Sequence, residues 1–154
     1  MKTIIIYDTK RGSTRQVAEI IATDLIRENI ETHIYRVNDP VDISLYDGII
    51  IMSPIYYEKP LNSVLQWIQK HRNILIHRQT CLIAVCMANY FGHPGTTYVY
   101  KRYIGMMVKR LGKEPTCKED ITGYILKIGK RTIEDCHRVS QHILSAFRDT
   151  SNNE

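Results

Sequence analysis

The hydrophobic and polar positions along this chain alternate between short apolar runs and segments of helical periodicity. The first run, residues 3–7, is rich in β-branched side chains, which is typical of a strand buried on both faces of a parallel sheet. Apolar residues between Val17 and Leu25 then recur at the spacing of one helix face, and Ser13 or Thr14 precedes them as a candidate N-cap. The chain therefore opens with a strand, a short loop and an amphipathic helix.

The same alternation continues along the rest of the chain. The pair Asp47-Gly48 is typical of a turn and precedes an apolar run, and Gly112 is expected to end a helix. Strands are predicted at residues 32–37, 49–52, 82–86 and within 115–128, and helices at 61–72, 97–111 and 132–147. Strands that alternate with helices predict an α/β three-layer sandwich, with a parallel sheet covered by helices on both faces.

Length and composition fit one domain. The chain has 154 residues, with 44% apolar and 24% charged side chains, and it shows no repeat or linker. We assign residues 1–148 to a single domain and 149–154 to a short polar tail. Since no apolar run approaches the roughly 20 residues of a membrane span and no signal-peptide pattern is present, we expect a cytoplasmic protein.

Cysteine and histidine give no sign of a metal site. The cysteines contain no C-x-x-C pair, and the six histidines lack ligand spacing. We therefore expect reduced cysteines that mostly pack in the interior. They are Cys81, Cys86, Cys117 and Cys136.

The loop between the first strand and the first helix has the composition of an anion site. A helix N-terminus offers unpaired amides and the positive end of the helix dipole, hydroxyls add donors, and a glycine allows close approach. The alternative is an ordinary strand-to-helix turn. Neither G-x-G-x-x-G nor G-x-x-x-x-G-K-[ST] is present, which argues against a dinucleotide fold or a P-loop nucleotidase. The residues of this candidate loop are Thr9, Lys10, Arg11, Gly12, Ser13 and Thr14.

Two further loops are expected beside it, because the carboxyl ends of parallel strands meet at one edge of the sheet. After the third strand, Tyr56 or Tyr57 is a candidate to lie against a flat apolar ring; alternatively, one tyrosine caps the core and the other is solvated. After the fourth strand, Tyr90 or Phe91 is a candidate for the other ring face, unless this segment is a plain connection. The candidate residues are Ser53, Pro54, Ile55, Tyr56 and Tyr57 in the first loop, and Met87, Ala88, Asn89, Tyr90 and Phe91 in the second.

The segment from Thr9 to Thr14 resembles the phosphate loop of the flavodoxin-like family, whose pattern after the first strand is Ser/Thr, any, Thr, Gly, any, Thr. Arg11 stands where that family usually has a threonine. Charged residues there are similar to those of the flavodoxin domain proteins, the branch that includes menaquinone-dependent protoporphyrinogen dehydrogenase. The resemblance implies strand order 2-1-3-4-5, flavin mononucleotide (FMN) as cofactor with its phosphate in this loop, and the two later loops against the isoalloxazine ring.

Net charge then separates the functional alternatives. Flavodoxins that shuttle electrons are typically acidic, whereas this chain has a net charge of +5 and a pI near 9.0. We predict an FMN redox protein that carries electrons between a reductase and an acceptor, with an acidic protein or a quinone as partner and a peripheral membrane contact left open. Electron transfer through the flavin needs no catalytic acid, base or nucleophile from the protein.

Two other classes are weighed against this prediction. The first is an FMN-dependent oxidoreductase related to the dehydrogenase. The dehydrogenase carries a long basic and aromatic insertion after its fifth strand, and this chain lacks that insertion. A non-redox binding module is the second; a response-regulator receiver would need an aspartate where Ser53 and Pro54 stand. Nucleic-acid binding suits the charge but has no motif behind it. The sequence does not address the oligomeric state.

Overall fold

The computed structural model describes residues 1–87 and 97–152. Its helices are α1 (Ser13–Arg27), α2 (Asn62–Leu75), α3 (Gly105–Leu111) and α4 (Lys130–Ser151), with a 3₁₀ turn at Ile43–Leu45 and a π-helical segment, Val99–Ile104, directly before α3. Its strands are β1 (Lys2–Tyr7), β2 (Glu31–Arg36), β3 (Gly48–Tyr56), β4 (Lys59–Pro60), β5 (Gln79–Cys86) and β6 (Cys117–Thr122).

The five long strands form a parallel sheet in the order β2-β1-β3-β5-β6, and β4 pairs antiparallel with the end of β3. Since β5 and β6 are the fourth and fifth long strands, the predicted order 2-1-3-4-5 is confirmed. The isoleucine runs of β1 and β3 lie side by side in the sheet, with Ile5 opposite Ile50.

Alternate side chains of these strands face two separate cores. On one face Ile5 and Ile50 pack with α1 and α4, and on the other Ile49 packs with α2, the π-helical segment and α3. All three isoleucines are fully buried, which explains why β1 and β3 are continuously apolar rather than alternating.

Strand β3 is longer than the predicted residues 49–52. It continues through Ser53, Pro54, Ile55 and Tyr56, which the sequence had placed in a loop. Pairing explains the difference, because Pro54 lies opposite Val85 of β5 while Ile55 and Tyr56 pair with β4. The candidate residues after the third strand therefore belong to a β-hairpin.

The end of α3 agrees with the sequence pattern, whereas α4 continues beyond its predicted end. Gly112 follows α3 with a φ of 77°, the left-handed conformation that glycine adopts readily at a helix C-terminus. Helix α4 continues through Ser151, so residues 149–151 of the proposed polar tail are helical.

The expectation that all cysteines are reduced is wrong for two of them. Cys81 and Cys117 lie directly opposite each other on β5 and β6, with Cα atoms 4.5 Å apart, and form a disulfide. Cys86 and Cys136 are buried and form no disulfide within the described part of the chain. Spacing along the chain could not show this pairing, because strand register brings the two residues together.

Candidate functional site

A cleft lies at the carboxyl edge of the sheet, where β1, β3, β5 and β6 end. The loop after β1, the end of β3 and the end of β5 all line it. A fourth segment, the connection after β6, also lines it and was missed, although the same edge rule applies to that strand. The lining residues are Arg11, Ser13, Pro54, Ile55, Tyr56, Val85, Cys86, Met87, Gly123, Tyr124 and Ile125.

The loop after β1 leads into an uncapped helix. Gly12 turns the chain with a φ of 88° and donates its amide to Thr9 Oγ1 at 2.8 Å. Among residues 1–87 and 97–152, no side chain caps α1, and its first turn contains no acidic residue. Because helix N-termini usually have a side-chain acceptor or an acidic neighbour, this N-terminus is left available to an external anion.

Thr14 supplies a second feature of an anion site. Thr14 is fully buried, and its hydroxyl Oγ1 has no hydrogen-bond partner among the described residues. A buried hydroxyl without a partner costs about 1–3 kcal/mol, a cost that a phosphate oxygen would remove. The unpaired hydroxyl at a helix N-terminus therefore fits the phosphate of FMN.

Asp8 stabilises the start of this loop through hydrogen bonds from three residues. Its Oδ1 accepts hydrogen bonds from the Thr9 amide at 2.8 Å and from Arg36 Nη2 at 2.6 Å, and its Oδ2 accepts one from the Ser63 hydroxyl. Burial raises the pKa of Asp8, but the hydrogen bonds from Ser63, Arg36 and Thr9 outweigh burial and hold that pKa below its usual value. Asp8 thus ties the start of the loop to β2 and α2 as a carboxylate.

The two tyrosines have different surroundings. Tyr56 is half-buried and lines the cleft, whereas Tyr57 is 90% exposed at the tip of the hairpin and lines a neighbouring groove. Lys10 Nζ lies 4.9 Å from the centroid of the Tyr56 ring and 5.8 Å from that of Tyr57. Of the two rings, only Tyr56 is placed where it can contact a ligand in the cleft.

Ser53 braces the hairpin and does not line the cleft. Its Oγ accepts a hydrogen bond from the Leu61 amide at 2.9 Å and donates one to the Pro54 carbonyl at 2.8 Å. Of the predicted site residues, Ala88, Asn89, Tyr90 and Phe91 lie outside the described residues. In the part of the chain that is described, no group of three His, Cys, Asp or Glu side chains that could hold a metal ion is present.

Comparison with known proteins decides the family. Residues 4–91 match the flavodoxin domain family. This chain is a member of that family. The match covers the loop after β1 and the β3–β4 hairpin, the two parts of the cleft that the resemblance rested on. Membership supports FMN as the cofactor of this flavodoxin domain.

Two curated relatives are flavodoxin-like enzymes. Over 150 residues the chain is 23% identical to coenzyme F420H(2) oxidase of Methanothermobacter marburgensis, covering 94% of this chain and 35% of that protein. Over 74 residues it is 28% identical to protoporphyrinogen IX dehydrogenase [quinone] of Escherichia coli K12, covering 46% of this chain and 40% of that protein. The matched parts are thus well under half of each relative's length.

Solved structures share the fold. Rubredoxin oxygen:oxidoreductase from Desulfovibrio gigas superposes with a TM-score of 0.70 at 15% identity, over 96% of this chain and 36% of that one. A short-chain flavodoxin associated with a PDU bacterial microcompartment gives a TM-score of 0.70 at 13% identity, over 96% and 99%. Fusobacterium nucleatum flavodoxin bound to flavin mononucleotide gives 0.60 at 18% identity, over 94% and 97%.

Proposed function

We propose that this flavodoxin domain is an FMN redox protein that carries electrons between a reductase and an acceptor. The observation that carries the proposal is the cleft itself, which Arg11 and Ser13 line at the uncapped start of α1 and which the half-buried Tyr56 also lines. Bound FMN supplies the electron-transfer chemistry. A cytoplasmic location is part of the same proposal.

The protein's own residues bind and orient the cofactor. The α1 amides, the Thr14 hydroxyl and the Arg11 guanidinium hold the phosphate, because all three offer donors or positive charge to an anion. The Tyr56 ring covers one face of the isoalloxazine, a contact worth about 1 kcal/mol beyond the area it buries. Ala88, Asn89, Tyr90 and Phe91 remain predicted contacts to the ring.

The second candidate function is an FMN-dependent oxidoreductase that uses a quinone. Its support is the 28% identity to the Escherichia coli dehydrogenase over 46% of this chain. Against it stands the short connection between β6 and α4, residues 123–129, where the long basic and aromatic insertion is expected. We therefore rank the carrier first.

A turnover experiment separates the two functions. The FMN-loaded protein is mixed with an NADPH-dependent flavodoxin reductase and cytochrome c, and separately with protoporphyrinogen and a soluble menaquinone analogue. The carrier proposal expects cytochrome c reduction that requires both proteins and no reaction with protoporphyrinogen. Protoporphyrinogen oxidation without any reductase would replace the carrier by the second candidate.

The rim of the cleft favours an acidic partner. We use rim for four basic residues around the cleft: Arg11 lines the cleft, Lys10 and Lys59 line the neighbouring groove, and Lys127 lies two residues after Ile125. All four are exposed, and none of them joins an ion pair within the described part of the chain. The carboxylate of Asp8, by contrast, is paired with Arg36. A rim with unpaired positive charges attracts an acidic redox protein and raises its association rate.

Removing rim charges is expected to weaken this attraction. When the photoreduced protein is oxidised by ferricyanide, an anion, lowering the salt concentration should raise the rate, and with hexaammineruthenium(III), a cation, it should lower the rate. The double variant Lys59→Gln, Lys127→Gln should reduce both salt dependences by about half. The double variant Arg27→Gln, Arg148→Gln, which loses the same charge far from the cleft, should keep them. Equal effects of the two double variants would contradict an attractive rim.

A further inference from the structure

The hairpin that carries Tyr56 ends in an unusual turn. Its two central residues, Tyr57 and Glu58, have φ values of 50° and 63°, in the left-handed region that type I′ hairpin turns require and that asparagine and glycine usually supply. Neither residue adopts this conformation readily. Contacts outside the turn must therefore hold the hairpin in place.

Glu58 makes these contacts. Its Oε2 accepts hydrogen bonds from the hydroxyl of Tyr98 at 2.7 Å and from the hydroxyl of Tyr103 at 2.8 Å. The hydrogen bonds from Tyr98 and Tyr103 hold the pKa of Glu58 below its usual range, while burial and then the bond to Glu58 raise the pKa of Tyr103. At neutral pH the carboxylate is the acceptor and both tyrosines remain donors.

The π-helical segment brings the two tyrosines to the same side. Tyr98 immediately precedes Val99–Ile104, and Tyr103 lies within it. Residues five apart on an α-helix point about 140° apart, whereas a π-turn closes its hydrogen bond between residues five apart and so aligns them. The two rings meet edge to face, 5.3 Å apart at 89°. Since Tyr103 is only 4% exposed, the pair is anchored in the core.

We propose that Glu58, Tyr98 and Tyr103 form a tyrosine latch that positions the β3–β4 hairpin, and with it the Tyr56 ring, against the flavin cleft. Glu58 is then a positioning residue, acting through the turn that joins Tyr56 to Lys59, its antiparallel partner. This inference rests on the proposed FMN function. It adds two determinants of cofactor binding, Tyr98 and Tyr103, that do not line the cleft themselves.

Breaking the latch is expected to loosen the hairpin and weaken FMN binding. Glu58→Ala should raise the dissociation constant for FMN about tenfold and speed amide hydrogen exchange at Tyr57 and Lys59. Glu58→Gln, which keeps an acceptor oxygen, should restore most of both. In a double-mutant cycle, Tyr98→Phe should add little to Glu58→Ala, because both variants remove the same hydrogen bond.

Two further variants separate the latch from other causes. Glu58→Gly relieves the left-handed turn, so a turn limited only by its backbone would bind FMN more tightly, whereas the latch requires weaker binding. Tyr100→Phe is the matched control, because this tyrosine belongs to the same segment but its hydroxyl donates to β6, to the Lys118 carbonyl and Asp120 Oδ1. It should leave FMN affinity and hairpin exchange unchanged.

The outcomes distinguish this inference from the proposed function. Unchanged FMN affinity and unchanged exchange in Glu58→Ala, with wild-type protein that binds FMN, would overturn the latch. If wild-type protein does not bind FMN, the proposed function fails. Hydrogen exchange then decides the latch alone: faster exchange at Tyr57 and Lys59 in Glu58→Ala supports it, and unchanged exchange overturns it.

Discussion

Thr14→Val is expected to weaken FMN binding by about 10- to 100-fold while making the FMN-free protein more stable. The two effects have opposite signs because they have one cause. Without cofactor, the Thr14 hydroxyl is buried and has no partner among the described residues, so replacing it with a methyl group of similar size should gain about 1 kcal/mol. With cofactor, we expect the same hydroxyl to donate to the phosphate, and the variant would lose that hydrogen bond.

The measurements are urea unfolding of the FMN-free protein and fluorescence titration with FMN. Thr80→Val is the matched control, because the Thr80 hydroxyl is also buried with no partner in the described part of the chain, but lies near the start of β5, at the opposite edge of the sheet. It should become more stable and keep its FMN affinity. Thr14→Val protein that binds FMN as tightly as wild type would remove Thr14 from the phosphate site.

Gly48→Ala is expected to lower the free energy of unfolding by about 2–3 kcal/mol. A Cβ atom at Gly48 would lie 2.6 Å from Cε2 of Phe147 and 2.7 Å from Cγ2 of Thr3. Phe147, a residue of α4, is only 1% exposed and packs in the core between α4, α1 and the sheet, so its ring cannot move aside without opening that core.

Denaturant unfolding of the variant tests this expectation. Gly105→Ala is the control, since its added Cβ would lie no closer than 3.8 Å from the Tyr100 carbonyl. An alanine in α3 should be neutral or stabilising by up to about 1 kcal/mol. Equal losses of stability in the two variants would contradict the tight packing of Phe147 on β3.

Gly48 also shows where the sequence pattern stopped being informative. The Asp47-Gly48 pair indicated a turn, but Gly48 is the first residue of β3 and is required because the Phe147 ring occupies the space beside it. The alternating strands and helices were predictable because each pattern is local. The contact between Gly48 and Phe147 joins residues far apart on the chain, so no local pattern could reveal it.

The candidate site likewise has parts that a local sequence pattern predicts and parts that depend on contacts between distant residues. The loop from Thr9 to Thr14 was predictable, since one strand, one loop and one helix define it. The role of Glu58 could not be predicted from a local pattern, because its partners Tyr98 and Tyr103 are 40 and 45 residues away along the chain. Tyr124 and Ile125 were missed because the edge rule was applied to three strands and not to the fifth.

The connection between β6 and α4 exposes apolar and basic side chains beside the cleft. Across the described residues, no helix is long and apolar enough to cross a bilayer. Exposed Ile125 and Leu126 lie next to Lys127 on the β6–α4 connection, so a partner that reaches the cleft meets apolar and basic side chains together.

Titration of FMN with the purified, FMN-free protein tests the central claim most directly. We predict one FMN per chain with a dissociation constant below about 1 μM, and flavin fluorescence quenched on binding by the Tyr56 ring. Flavin fluorescence that stays unchanged up to about 100 μM protein would contradict the account, because the cleft would then not be a flavin site.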